Sequence, residues 1–328
     1  MLERRLRNLL ADGFPGGAEH RVLVIDDHST DGTAELARDL ARRLPRAPNV
    51  AVEVLQNPGP PGKAQALRAG LERLQASDLW ILTDADVVHR PGSLLALVAA
   101  FERDPRLGLA SAAQEFVRDL ALDGRCLGAD GAEPVPAAER YDRWTAAVRR
   151  VESRCGKLFS VHGQLLAWRR DTGVWPPPAI AADDLALMLA VRRTGWRTAL
   201  VSGARFLEVK PGGAPRAGQA QRRARAYFQA LRSARARGFG APIDRLQLAL
   251  YARLPAAAPW AYVLVVLLAP LACAVSIGPW AGLWAALALG LVHCFGPGRD
   301  LLRLLALIER ARRAEARAPL SDSWEMAR

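Results

Sequence analysis

Two groups of acidic residues stand out by type and spacing, Asp26-Asp27 and Asp84-Ala85-Asp86. Mg²⁺ and Mn²⁺ prefer carboxylate oxygens and keep coordination positions open for substrate phosphates. Asp84-Ala85-Asp86 can therefore supply one direct metal ligand and one outer contact to a metal-bound diphosphate or its ribose. Three such residues alone carry little information. Their position after the apolar run Leu79-Trp-Ile-Leu-Thr83 gives them weight. Asp26-Asp27 closes a similar run, Arg21-Val-Leu-Val-Ile25. A third acidic pair, Asp183-Asp184, and a basic cluster, Arg222-Arg223-Ala224-Arg225, follow in the same order along the chain.

The elements that must position these groups are legible in the apolar pattern. In the first segment Leu2, Leu6, Leu9 and Leu10 share one helical face, with Arg4, Arg5 and Arg7 expected outside it. The run 21–25 fits a buried parallel strand. A helix follows, with Ser29, Thr30 and Asp31 as start signals and Leu36, Leu40 and Leu44 as its apolar face. Asp31 alone reads as a cap or turn residue. Val50 to Leu55 is a further strand, Asn57 to Gly62 a tight loop, Lys63 to Leu74 a helix, and Leu79 to Thr83 a strand. Strands alternating with helices imply a doubly wound, mainly parallel sheet. In such sheets ligands bind at the carboxyl ends of the strands, where both acidic groups fall.

The chain has 328 residues, room for one sizeable α/β domain and a smaller appendage. Its net charge of +12 would suit a polyanionic partner. Only Lys63, Lys157 and Lys210 are lysines, however, and arginine with abundant alanine is also what a biased coding composition produces. The clusters at Arg222–Arg225 and Arg310-Ala-Arg-Arg313 are therefore better evidence than the total, and no nucleic-acid partner is expected. Cys126, Cys155, Cys273 and Cys294 show no metal-ligand spacing and read as free thiols of a reducing compartment. Met1-Leu-Glu-Arg-Arg-Leu-Arg is too charged for a signal peptide, which places the soluble part in the cytoplasm.

Leu254 to Gly298 carries no Asp, Glu, Lys or Arg. Ala256 to Ile277 is long enough to cross a bilayer at about 20 apolar residues per crossing. Gly278-Pro279 breaks the run, and Trp280 to Phe295 supplies a shorter second span, so a transmembrane helical hairpin is expected. Trp260, Tyr262, Trp280 and Trp284 lie near the span ends, as interfacial aromatics do. Arg245 and Arg253 before the hairpin, and Arg299 and Arg303 after it, place both ends in the cytoplasm. From Asp300 to Arg317, Leu301, Leu304, Leu305 and Ile308 oppose a basic face that suits an anionic membrane surface. The expected organisation is a catalytic domain over residues 1–240, a lead-in and two spans over 241–298, and a basic helix and tail over 299–328 of a multi-pass cell-membrane protein.

Several segments, in order, resemble family 2 glycosyltransferases of the GT-A fold. They are Val22-Leu-Val-Ile-Asp-Asp-His-Ser-Thr-Asp-Gly-Thr33, Gly62-Lys63-Ala64 heading a helix, and Thr83-Asp-Ala-Asp86. Gly163-Gln-Leu-Leu-Ala-Trp-Arg-Arg170 is similar to the family's run of small residues followed by an arginine pair. Asp183-Asp184-Leu185, ahead of Gly195-Trp-Arg-Thr-Ala-Leu-Val201, resembles its acidic catalytic motif. Gln221-Arg-Arg-Ala-Arg-Ala-Tyr227 resembles its Gln-x-x-Arg-Trp signature. The resemblance spans roughly residues 1 to 240. It implies that Asp26 and Asp27 contact the nucleoside, with Lys63 near the base or phosphates. It implies that Asp84 meets the ribose or diphosphate and Asp86 the metal, Mg²⁺ or Mn²⁺. Asp184 would be the base that deprotonates an acceptor hydroxyl, with Asp183 as the alternative, inverting the anomeric carbon. Arg222, Arg223 and Arg225 would stabilise the departing diphosphate. The implied partners are a nucleoside-diphosphate sugar, by family frequency a uridine one, and a lipid or glycan acceptor at the membrane.

Two departures matter. Ala226, not Trp, follows Arg225, which weakens the stacking platform for an acceptor sugar and argues against processive synthesis. The family also begins with an apolar strand and a short loop before its first helix, whereas this chain starts within that helix. The sheet is therefore expected to lack one strand, and the nucleotide pocket one wall. Two other functions compete. A sugar nucleotidyltransferase would carry a glycine-rich phosphate loop near the N-terminus, which is not seen, and a non-catalytic basic membrane-anchored binding protein would not need Asp184.

Overall fold

A computed structural model describes residues 2–117, 140–176, 182–209, 217–239, 241–294 and 297–317. Cys126, Lys210 and the tail beyond residue 317 lie outside these. The chain forms two compact units, one running from the N-terminus through the last strand and one made of the four C-terminal helices.

The first unit begins with α1 (Leu2–Ala11), β1 (His20–Asp26), α2 (Thr33–Arg43), β2 (Val50–Gln56), α3 (Lys63–Arg73) and β3 (Leu79–Thr83). It continues with β4 (Val88–His89), α4 (Ser93–Arg103), β5 (Leu107–Val117), α5 (Arg140–Arg154), β6 (Leu165–Arg169), α6 (Asp183–Arg193) and β7 (Arg197–Val209). Each strand expected upstream of residue 84 is present, and β3 has the expected bounds. The helix from Lys63 is present as well.

The sheet departs from a mainly parallel one. β1 and β2 form a separate parallel pair, and the other five strands lie in the order β3-β6-β5-β7-β4. β3, β5 and β7 run one way, while β4 and β6 run against their neighbours. A short apolar run such as Leu165-Leu-Ala167 satisfies burial on both faces in either direction, so the pattern does not carry its sense. Among the described residues no strand joins β1 to β3.

Each sheet has its own core. Leu6 and Leu10 of α1 meet Leu40 and Leu44 of the α2 region over Val22 and Val50. Leu94, Leu97 and Phe101 of α4 cover Ala110, Leu165 and Phe206 of the larger sheet. Trp80 and Trp168 are cross-strand partners with ring centroids 5.6 Å apart. The Trp80 indole N–H donates to the Leu74 carbonyl at 3.0 Å. β3 is thereby pinned between its neighbour and the end of α3, which fixes the strand end carrying Asp84.

The second unit comprises α7 (Ala217–Arg237), α8 (Pro242–Ser276), α9 (Pro279–Cys294) and α10 (Pro297–Arg317). α8 is long and apolar enough to cross a membrane, whereas the apolar part of α9 is shorter, Pro279–Leu291. Val263, Leu267, Leu271, Trp280 and Trp284 are exposed. α9 folds back on α8 where Gly282 lacks a side chain: a Cβ there would lie 2.8 Å from the Pro270 carbonyl oxygen. α10 does not present one continuous apolar face outward. Leu301 and Leu304 are exposed, but Leu305, Ala311 and Glu315 are buried.

Candidate active site

β1 ends on two carboxylates with different surroundings. Asp27 accepts from the Asn57 side-chain amide at 2.7 Å and from the Gly62 N–H at 2.8 Å. Asn57 also donates to the Pro60 carbonyl and accepts from the Gly59 N–H. His28, at φ 61°, sits within hydrogen-bond reach of the Gly59 carbonyl. Asp27 is therefore the brace of the 57–62 loop, and both its oxygens are occupied. Asp26 is 4% exposed, and neither of its carboxylate oxygens has a hydrogen-bond partner. A buried acceptor left unpaired costs roughly 1–3 kcal/mol or more when charged, so Asp26 has bonding capacity that the described residues leave unfilled.

The braced loop sets the start of α3, and with it Lys63. The Lys63 ammonium lies 3.1 Å from Asp84 Oδ1 and 3.3 Å from Asp183 Oδ2. The first contact is a hydrogen bond, whereas the second is electrostatic without hydrogen-bond alignment. One cation thus joins the end of β3 to the start of α6. Burial acts to lower its pKa, but Asp183 and Asp84 more than offset this and raise it, so Lys63 is charged. Burial raises the Asp84 carboxyl above the usual range, partly opposed by Lys63. Asp86, one residue beyond Ala85, is exposed.

Asp184 sits in the first turn of α6. Its oxygens accept from the Leu185 N–H at 2.7 Å and the Gly163 N–H at 3.2 Å. Gly163 is needed for this approach, because a Cβ there would stand 3.3 Å from the Asp184 Cβ. Burial, and next the Asp183 charge, push the Asp184 carboxyl up to about 6. Such a group is ionised at neutral pH yet basic enough to take a proton.

Lys63, Asp84 and Asp183 are therefore brought together by direct contacts. Asp27 braces the loop that ends at Lys63, and Asp26, Asp86 and Asp184 stand beside their neighbours in sequence. Arg222, Arg223 and Arg225 lie on α7 in the helical unit. There Arg225 Nε is 3.8 Å from the buried Glu315, which also pairs with Arg232. Sequence reasoning missed Asn57 and Thr83 as site-shaping residues, and it placed Arg5 outside. Arg5 is buried under the β3 end. Its spacing from Asn8 and Asp12, three and then four residues, was the available signal of a polar helix stripe.

Asp84 and Asp86 offer oxygen donors only, which fits Mg²⁺ or Mn²⁺ rather than a softer metal. Among the described residues no three His, Cys, Asp or Glu side chains form a closed cage. A two-carboxylate site of this kind takes its remaining ligands from water and substrate phosphates. A cavity of about 630 Å³ lies at the other end of β1 and β2, lined by His20, Asn49 and Arg73 among others. It faces the strand starts, away from the carboxylates.

The model of the family described as glycosyltransferase like family 2 matches residues 1–241. The chain belongs to this family. No curated protein matches the sequence. Among solved structures, the mannosyltransferase PcManGT of Pyrobaculum calidifontis, in complex with GDP-Man and Mn²⁺, is 23% identical with a TM-score of 0.69. The likeness covers 96% of this chain and 83% of that one. S. aureus TarS, residues 1–349, is 13% identical with a TM-score of 0.50, covering 96% and 87%. These likenesses establish a GT-A-like α/β fold, and the family membership makes the carboxylate cluster at the strand ends its candidate active site.

Proposed function

We propose that the protein is an inverting glycosyltransferase that moves a sugar from a nucleoside-diphosphate sugar to a hydroxyl of a membrane-associated lipid or glycan. The observation that carries this reading is the Lys63 bridge, 3.1 Å from Asp84 and 3.3 Å from Asp183. One half-buried cation then links the proposed metal-and-diphosphate motif to the helix of the candidate base.

In this reading Asp26 offers its unpaired oxygens to the nucleoside, while Asp27 acts indirectly by holding the loop that directs Lys63. Asp84 and Asp86 hold the Mg²⁺ or Mn²⁺, which supplies positive charge at the diphosphate when bound. Asp184 is favoured over Asp183 as the base, because Asp183 is engaged by Lys63 whereas Asp184 is oriented by two backbone N–H groups. The acceptor hydroxyl gives its proton to Asp184 as its oxygen attacks the anomeric carbon opposite the diphosphate. The sugar–phosphate C–O bond breaks, and the diphosphate leaves with the electron pair. Lys63 can meet part of its charge. Arg222 and Arg223 are proposed to add to this by the family resemblance of 221–227, while Arg225 is already paired with Glu315.

The exposed apolar surface of α8 and α9, and the arginines flanking it, support a two-span anchor in the cell membrane with the sheet unit in the cytoplasm. The test is a screen of nucleotide sugars, uridine and guanosine donors first, with Mn²⁺ or Mg²⁺ and a membrane lipid extract. Metal-dependent release of nucleoside diphosphate with a labelled lipid or glycan product supports the proposal. Release of pyrophosphate with formation of a nucleotide sugar would replace it by nucleotidyl transfer.

A further inference from the structure

Arg5 is a buried charge that the proposed chemistry does not use. It is 3% exposed. One Nη donates to Asn8 Oδ1 at 2.9 Å and to His89 Nδ1 at 2.6 Å, and the other donates to the Thr83 hydroxyl. Because arginine can only donate, His89 Nδ1 is the acceptor and its Nε2–H donates to Asp12 at 2.9 Å. Asn8 bonds both backbone groups of His89. Asp12 also takes the N–H groups of Gly92 and Leu94. Arg5 and Asn8 of α1, with Asp12 just beyond its end, therefore form one polar stripe that grips both ends of the segment carrying Asp84 and Asp86.

The grip extends to the base. The Thr83 hydroxyl, while accepting from Arg5, donates to the Gln164 carbonyl at 2.9 Å. Gln164 follows Gly163, whose N–H holds Asp184. Among the described residues no carboxylate lies within 4 Å of Arg5, and its Nε has no partner. A buried arginine without an ion pair is costly, and its hydrogen bonds to Asn8, His89 and Thr83 offset that cost only in part. Burial lowers the guanidinium to about 10, opposed by the charges of Asp84, Asp12 and Asp86, so it stays protonated at neutral pH.

We propose that Arg5 is a positioning residue for metal–diphosphate binding, a buried counter-charge that fixes Thr83, and through it Asp84 and Asp86, without occupying their carboxylate oxygens. Lys63 neutralises Asp84 by bonding to it, and so competes with a metal for an oxygen. Arg5 acts from the core side through a hydroxyl, and leaves the oxygens to the cation. The inference rests on the reading of Asp84 and Asp86 as the metal site.

The test uses the full chain in detergent, with free Mn²⁺ read by electron paramagnetic resonance in the presence and absence of UDP. Loss of an outer-shell partner lowers metal affinity by about 10–100-fold. Arg5→Met should weaken Mn²⁺ binding by at least about tenfold, and Thr83→Val by severalfold. Arg5→Lys, which keeps the charge, should restore most of the affinity. Nucleotide binding without metal should change little in all three. Mn²⁺ affinity unchanged in Thr83→Val and in Arg5→Met, with only a lower melting temperature, would overturn the inference and leave a helix-packing contact. Should Arg5→Met fail to fold, Thr83→Val and Arg5→Lys decide by the same readout. A wild-type chain that takes up no Mn²⁺ would instead overturn the metal reading itself, and the inference with it.

Discussion

In the sheet unit Leu97, Leu109, Trp168 and Phe206 are buried, and ionisable groups converge at the strand ends. In the helical unit Val263, Leu267, Leu271 and Trp284 are exposed, and among the buried side chains is the carboxylate of Glu315, held by Arg232. The first unit spends its buried polarity on a site with unfilled capacity: Asp26 has two unpartnered oxygens, and Asp86 is open to solvent. The second closes its buried charge within itself and leaves apolar surface open. Polar capacity left open asks for a charged or hydrogen-bonding ligand. Apolar surface left open on a helix long and apolar enough to cross a membrane suits an apolar surrounding.

The contrast can be broken at either unit, and the largest effect is expected at Asp184. Asp184→Asn should lower transfer by about 10³-fold, in the range that general-base removal produces, with donor affinity within about twofold. Unchanged turnover would remove Asp184 as the base. In the wild type the ionised form is the active one, so transfer should fall as pH drops below about 6. A rate flat from pH 5 to 8 would contradict this.

On the helical side, Leu264→Asp places a charge on the exposed surface of α8. A mid-helix Asp costs about 2.5–3.5 kcal/mol for insertion, so the chain should shift from the membrane fraction toward the soluble or degraded one. Undiminished membrane association would argue that α8 does not span. A smaller effect is expected at Gly163→Ala, where the new Cβ would press on Asp184 at 3.3 Å. A fall of about tenfold in kcat with donor KM unchanged is the signature of a misplaced base.

The smallest effect concerns stability. The Asp184 carboxyl stands near 6 in the fold against about 3.9 in an unfolded chain. Its ionisation therefore opposes folding, with a cost that grows between about pH 4 and 6 and is constant above, at most about 3 kcal/mol. Asp184→Asn should melt a few degrees higher than wild type at pH 8, with no difference at pH 4. Equal melting at both would mean that the carboxylate is not strained.

How far the sequence reaches differs between the units and within the site. Leu79–Thr83 and the aspartates after it were legible because a run of large apolar residues ended by acid has few other readings. The antiparallel sense of β6 was not, since a strand buried on both faces reads the same in either direction. Arg5 was assigned to the outside because helical periodicity sorts residues by polarity and has no means of recognising a charge that is buried and bonded to distant partners. Thr83 and His89 lie 78 and 84 residues away from it. Asp27 was read as a nucleoside contact, but Asn57 and Gly62, supplied by the next loop, fill its oxygens. Its neighbour Asp26, identical in type, keeps both oxygens unpaired.

That difference between two adjacent aspartates offers the most direct measurement. Calorimetric titration of wild type and Asp26→Ala with UDP and with GDP, in Mn²⁺, asks whether the strand ends hold a nucleoside diphosphate. The substitution should weaken nucleotide binding by at least about tenfold, as loss of a buried hydrogen-bond acceptor does, while the unliganded protein melts no lower. Nucleotide affinity equal in the two proteins would contradict it.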